Sequence, residues 1–130
     1  MRAAPVAVVD VADGAVKMLT EWGEWVGKAV ILTGPRAMSM AEHAGEDTRE
    51  MGREVEYEDI PMEGLREELG MAGLPEHVFL HLATLARLLK EGEYDRCTDD
   101  VWDILGRLAA SMAGTLKGFR NDGPVMADGE

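Results

Sequence analysis

Apolar residues fall at two periods along the chain, and the period changes element by element. "PVAVVDV" (Pro5–Val11) is apolar and β-branched, which predicts a strand at about 6–10. Asp10 then reads as a helix N-cap, and Val11, Ala15 and Leu19 recur at helical spacing, predicting a helix over 11–21. "EWGEWVGK" is a glycine-punctuated turn. Lys28–Thr33 holds four consecutive apolar residues, the pattern of a strand buried on both faces, and Gly34-Pro35 ends it. Ser39 and Glu42 stand in capping-box spacing ahead of a helix that runs to Met51, with Gly52 as its C′ residue. In "REVEYED", Val55 and Tyr57 alternate with Glu54, Glu56 and Glu58, predicting an edge strand over 54–58 with one wet, acidic face.

Beyond Pro61 the period is helical throughout. Met62, Leu65 and Leu69 form one stripe. Pro75 stands at a helix start, and Val78, Leu82, Leu85 and Leu89 line a helix over 76–90. "EGEYDRC" is a loop. Thr98 is an N-cap candidate with Asp99 and Asp100 in the first turn, and Val101, Ile104, Leu105, Leu108, Met112 and Leu116 predict one long amphipathic helix. The expected class is α/β, or an α+β-like fragment of it. It has two or three short, mostly parallel strands (about 6–10, 28–33 and 54–58) and about five helices, the C-terminal half being helical. One domain is expected over 1–120, with a flexible tail over 121–130.

Composition narrows the partners. The 130 residues carry 25 acids against 13 Lys and Arg, a net charge of −12, which repels phosphate backbones and anionic membrane surfaces. No apolar run approaches the ~20 residues that span a bilayer, and Asp10 and Asp13 interrupt the apolar start, so no signal peptide is read there. A single cysteine, Cys97, fits a reducing cytoplasm. Nine methionines point to an adaptable, aliphatic interior.

The order of these segments resembles a family. "VDVADGAVKMLTE", "GKAVILTGPRAMSMAEHA", "GREVEYEDIP" and "LREELGMAGLPEHVFLHLATLARLLKEGEYDRCTDDV" together resemble the C-terminal half of NmrA-like proteins. These are atypical short-chain dehydrogenases that include NAD(P)H-dependent quinone and azo-dye reductases and redox-sensing regulators. The likeness spans roughly residues 5–102, with "LTGP", "AGLPE" and "YDRCTDDV" its most specific parts. It implies a substrate-side unit. The family's N-terminal Rossmann half, with its glycine-rich dinucleotide loop, has no counterpart here, and neither Tyr57 nor Tyr94 has a lysine four residues on. The helix after "LTGP" carries His43 and Asp47 where relatives are apolar, as suits a helix with less to pack against. The family's Gly-Arg-Pro break after Trp102 is replaced by "DILGRLAASMAGTLKGF", which reads as continuous helix. With Met1 at its start, a naturally short product is expected, and no cofactor or metal is expected on it.

Candidate chemistry is sparse. His77 and His81 lie four apart on a predicted helix without a third ligand, and with Thr84 they form a polar strip that is a candidate ligand-pocket lining. Asp95, Asp99 and Asp100 are candidate acids or bases if buried, although N-capping accounts for them more simply. Trp22, Trp25 and Trp102 are candidate stacking, interface or core residues. Cys97 lacks a base partner, and His43 at a helix start is a candidate base or a plain exposed histidine. The weak catalytic candidates are therefore His77, His81, Asp95 and Asp99; the substrate-binding candidates are His77, His81, Thr84 and Trp102.

Two functions follow from the resemblance. One is a stand-alone domain that binds an apolar small molecule, as a cofactor-independent cyclase, isomerase or dehydratase of secondary metabolism. The alternative is a non-catalytic partner or regulatory subunit, docking through the surface its relatives' Rossmann half covers. Both leave sheet edge and apolar face uncovered, so a homodimer or a protein partner is expected, with no nucleic acid and no membrane.

Overall fold

Ser39 and Glu42 build the best-defined helix start. In the structure, a computed structural model that describes residues 1–122, Ser39 Oγ accepts from the Glu42 amide at 3.2 Å, and the Ser39 amide donates to Glu42 Oε2 at 2.7 Å. The helix they open runs over Met40–Met51 and closes on Gly52 at φ 68°, a left-handed cap that glycine adopts without a Cβ clash.

The element order is β1 (Arg2–Ala3), α1 (Val8–Thr20), α2 (Trp22–Trp25), β2 (Met38–Ser39), α3 (Met40–Met51), α4 (Met62–Met71), α5 (Glu76–Lys90), α6 (Asp100–Leu105) and α7 (Met112–Asp122). The described residues are mainly helical. Their strands are two residues long and antiparallel, with Arg2 opposite Ser39 and Ala3 opposite Met38. The mostly parallel sheet expected from 6–10, 28–33 and 54–58 is thus corrected in place and direction. Residues 123–130 of the expected tail lie outside the described residues.

Each missing strand has a local cause. β-branched runs favour strands only where a neighbouring strand receives them. At Val8 the chain turns into helix instead, and Asp10 sits inside the first turn with its carboxylate fully buried rather than capping. Residues 28–33 form no ladder. Side chains stand in for a partner strand: Asp100 Oδ2 accepts from the Ile31 amide at 2.6 Å, and the Thr98 hydroxyl donates to the Ile31 carbonyl. Over 54–58 the chain is irregular, and Thr48 Oγ1 takes up both the amide and the carbonyl of Val55, at 2.9 and 3.1 Å.

Two further expectations shift. Thr98 does not cap α6; Asp99 occupies that position, because the Thr98 hydroxyl is committed to Ile31. The single helix expected through 101–116 breaks at Gly106, whose φ of 64° ends α6, and α7 starts six residues later at Met112. Pro75 caps α5 from just outside it.

Packing pairs α3 with α7, α1 with α6, and α4 with α5. The buried apolar set is small: Ala4, Ala7, Met38, Ala44, Phe79, Val101 and Ile104. On α1 the usual arrangement is reversed. Asp10 and Gly14 face inward, whereas Val8, Val16 and Leu19 are 84, 61 and 79% exposed, and Trp22 beyond them is 67% exposed. Among the described residues no helix is long and apolar enough to cross a membrane.

Candidate functional site

Residues 31–34 and 97–100 are braided together by polar contacts. Buried Thr33 accepts at Oγ1 from the Thr98 amide at 3.0 Å, and Cys97 Sγ donates to the Gly34 carbonyl at 3.4 Å. The Gly34 amide donates in turn to the Ala4 carbonyl at 3.0 Å, tying the N-terminal segment alongside. Gly34 is required for that approach, since a Cβ there would lie 2.2 Å from the Pro5 carbonyl oxygen.

This braid is one wall of a cleft of about 460 Å³. Ala3–Val6 and Ile31–Thr33 line one side, Leu85 and Leu89 of α5 the other, and the exposed Glu93, Tyr94 and Arg96 complete it. The volume falls in the range of small-molecule sites, and the lining is aliphatic with a few polar groups, which is the usual chemistry of such sites. An apolar body fits against Leu32, Leu85 and Leu89, with Glu93, Arg96 and the Tyr94 hydroxyl left for a polar end.

A second cleft, of about 450 Å³, lies between α4 and α5. It is more polar, and its cations are taken. The Arg66 guanidinium lies 4.1 Å from the Phe79 ring centroid and bonds Glu76 Oε1 at 3.1 Å, while Arg87 meets both Glu91 oxygens at 2.8 Å.

The structure places the sequence-derived candidates as follows. His77 and His81 lie exposed on α5. Thr84 lines the α4–α5 cleft, but its hydroxyl donates to the Leu80 carbonyl at 2.9 Å. Trp102 is largely exposed on α6. Asp95 is 3.5 Å from Arg2 Nε, and Asp99 stands at the α6 cap position without a side-chain capping bond. Asp100 holds the Ile31 amide. His43 Nδ1 and Asp47 Oδ1 are buried on α3. Among the described residues no group of three or more His, Cys, Asp or Glu is disposed to hold a metal ion. The aliphatic cleft with Tyr94 and Arg96 was not singled out in the sequence, although "LTGP" and "YDRCTDDV", which carry the resemblance, supply Leu32, Thr33, Tyr94 and Arg96, and the α5 stripe supplies Leu85 and Leu89.

No family model matches the chain. A curated relative, the uncharacterized oxidoreductase YesF of Bacillus subtilis, is 34% identical over 83 residues, 64% of this chain and 29% of YesF. Among solved structures, an NADPH-dependent quinone oxidoreductase from Escherichia coli superposes with a TM-score of 0.81 at 21% identity, over 92% of this chain and 43% of that one. The Citrobacter sp. triphenylmethane reductase gives 0.80 at 23% identity, over 90% and 40%. A nucleoside-diphosphate-sugar epimerase from Staphylococcus aureus gives 0.79 at 22%, over 89% and 40%. The chain has the fold of part of an NmrA-like reductase. It spans about 40% of the length of these structures and 29% of YesF. The break at Gly106 overturns the continuous helix expected over "DILGRLAASMAGTLKGF".

Proposed function

We propose that this NmrA-like unit binds an apolar, ring-bearing small molecule in the cleft between the 31–34 braid and α5. The observation that carries the reading is the aliphatic lining of that cleft, about 460 Å³ in volume, with Glu93, Tyr94 and Arg96 as its polar groups. Two of the structural neighbours, a quinone oxidoreductase and a triphenylmethane reductase, are named for ring-bearing compounds with large apolar surface, of the kind such a cleft accepts. Chemistry on the bound molecule is of the non-redox kind, cyclisation, isomerisation or dehydration, with Glu93 and Tyr94 as the available proton-handling groups.

Binding to the folded state raises the melting temperature. A naphthoquinone and a triphenylmethane dye are titrated against the purified chain by thermal shift. A saturable rise with at least one of them, lost in Leu89→Arg, supports the reading; no rise with either, or a rise that Leu89→Arg leaves intact, ends it. A second reading, a non-catalytic docking or regulatory subunit, is favoured by the outward apolar face of α1.

A further inference from the structure

We propose that the molecule held in the aliphatic cleft is a ring-bearing carboxylic acid, and that Arg96 selects it by pairing with its carboxylate. The inference rests on the reading that this cleft binds a ligand, and it names the ligand's class.

The observation behind it is a cation without a partner. The chain has 25 acids against 13 Lys and Arg, so a basic side chain readily finds a carboxylate. Among the described side chains every other Lys or Arg is engaged. Lys28 lies over the Trp25 ring, Arg53 reaches Met51 Sδ, and the rest meet a carboxylate. Arg96 alone has no side-chain partner among the described residues, and it lines the cleft of about 460 Å³.

The fold keeps it in that state. Asp95, the acid beside it in the chain, lies 3.5 Å from Arg2 Nε instead. On its other side Cys97 Sγ donates to the Gly34 carbonyl at 3.4 Å, and the Thr98 amide donates to Thr33 Oγ1 at 3.0 Å. The chain is thus tied down around Arg96 while the guanidinium is left for a molecule in the cleft. Glu93 lines the same cleft, and no ion pair joins it to Arg96.

Chemistry narrows what that molecule carries. A guanidinium presents two parallel N–H donors that match the two oxygens of a carboxylate. A neutral carbonyl accepts a weaker bond from the same donors. A phosphate dianion would face Glu93 and a chain of net −12 with one guanidinium to offset both, so a single negative charge suits the lining better. Leu32, Leu85 and Leu89 keep water from the ring, and the low local dielectric they provide strengthens an ion pair beside them. A carboxylate anchored on Arg96 leaves Glu93 and Tyr94 for proton transfer.

Calorimetric titration of the purified chain with naphthoate and with its uncharged amide, naphthamide, tests the assignment. The two share a ring system and differ in charge at neutral pH. Naphthoate should bind about tenfold tighter than naphthamide, against the repulsion of the chain's net charge. In Arg96→Gln the preference should vanish, with naphthamide bound as in wild type. Arg96→Lys, a point charge without the planar fork, should keep part of it. Arg53→Gln makes the same change in net charge outside the cleft and should leave the preference intact. Naphthamide bound as tightly as naphthoate overturns the carboxylate assignment and leaves the cleft reading standing, whereas no binding of either overturns both. A preference that survives Arg96→Gln, or loss of both ligands in that variant, removes Arg96 as the selecting residue.

Discussion

The Arg107 guanidinium closes on the Asp10 carboxylate at 2.6 Å from the far side of the break between α6 and α7. Asp10 has no exposed surface, and its other oxygen accepts from the Ala110 amide at 2.7 Å. One buried carboxylate thereby sets where α1 begins and how the chain turns from α6 into α7. The guanidinium also reaches Asp13 at 2.8 Å, and the hydrogen bond to Asp10, followed by that to Asp13, holds its pKa above the ordinary arginine value.

Removing the Asp10 carboxylate takes the acceptor from the part-buried Ala110 amide and one partner from the half-exposed Arg107 guanidinium. The unpartnered amide carries most of the cost, because an ion pair whose cation is 43% exposed is screened by solvent. Asp10→Ala should cost ~1–3 kcal/mol, read as a fall in the urea midpoint, while Asp10→Asn, which keeps one acceptor oxygen and the volume, should fall between Ala and wild type. An unchanged midpoint in Asp10→Ala would show that the clamp contributes nothing to folding.

Two glycines make opposite demands. At Gly34 a Cβ meets backbone, the Pro5 carbonyl oxygen at 2.2 Å; at Gly14 it meets only the end of the Leu32 side chain at 3.3 Å. Backbone cannot step aside without breaking the Gly34–Ala4 hydrogen bond, whereas a leucine methyl can rotate away. Gly34→Ala should therefore destabilise by ~2–3 kcal/mol. Gly14→Ala should be near neutral, since alanine inside a helix recovers roughly 0.5–1 kcal/mol. Thermal melts of the two variants side by side provide the comparison, and equal losses would contradict this account.

Elements closed by local signals were legible in the sequence. The Ser39–Glu42 box and Gly52 fix both ends of α3, and the Val78–Leu89 stripe fixes α5, because capping and helical period depend on residues within a few positions of one another. The three expected strands depend on what lies beside them. "AVIL" at 29–32 reads as buried strand in any α/β setting, yet here its Ile31 amide and carbonyl are met by Asp100 and Thr98, nearly seventy residues away. The break at Gly106 was hidden because α6 and α7 share one apolar period, and the reason for stopping, Arg107 on Asp10, is 97 residues distant. The candidate cleft was illegible for the same reason: its walls come from three separated segments, and its aliphatic lining has no pattern of its own in the sequence. Asp95 and Asp99 look like chemistry in the sequence, but in the fold Asp95 meets Arg2 and Asp99 marks the start of α6.

Acid should loosen the start of α3. The Ser39 backbone amide, donating to the Glu42 carboxylate, is the main cause that holds its pKa below the ordinary glutamate value, with the Ser39 side chain, Arg2 and Arg36 adding to it. A carboxylate depressed in the folded state contributes stability that is present above its unfolded pKa and is lost as pH falls through the folded one. The loss therefore sets in below about pH 4.3. Glu42→Gln should flatten that part of the profile in thermal melts between neutral and acid pH. Ser39→Ala should lower stability by ~1 kcal/mol at neutral pH. An acid limb as steep in Glu42→Gln as in wild type would place the titration elsewhere.

Thr33 links the fold to the candidate cleft, because its hydroxyl is buried in the braid while its residue lines the cavity wall. Thr33→Val keeps the shape and removes the only side-chain oxygen that the Thr98 amide is seen to use. Leaving a partly buried amide unpartnered costs ~1–3 kcal/mol. The damage should be local. The Thr98 amide should exchange with solvent faster than in wild type, while amides of α3 and α7 keep their protection, since those helices pack on each other. A loosened wall also holds a ligand less well, so the thermal shift produced by a bound naphthoquinone or triphenylmethane dye should shrink in Thr33→Val by more than the fall in intrinsic stability explains. Unchanged Thr98 exchange would remove the braid from the account of the cleft, and an undiminished ligand shift would move the binding site away from this wall.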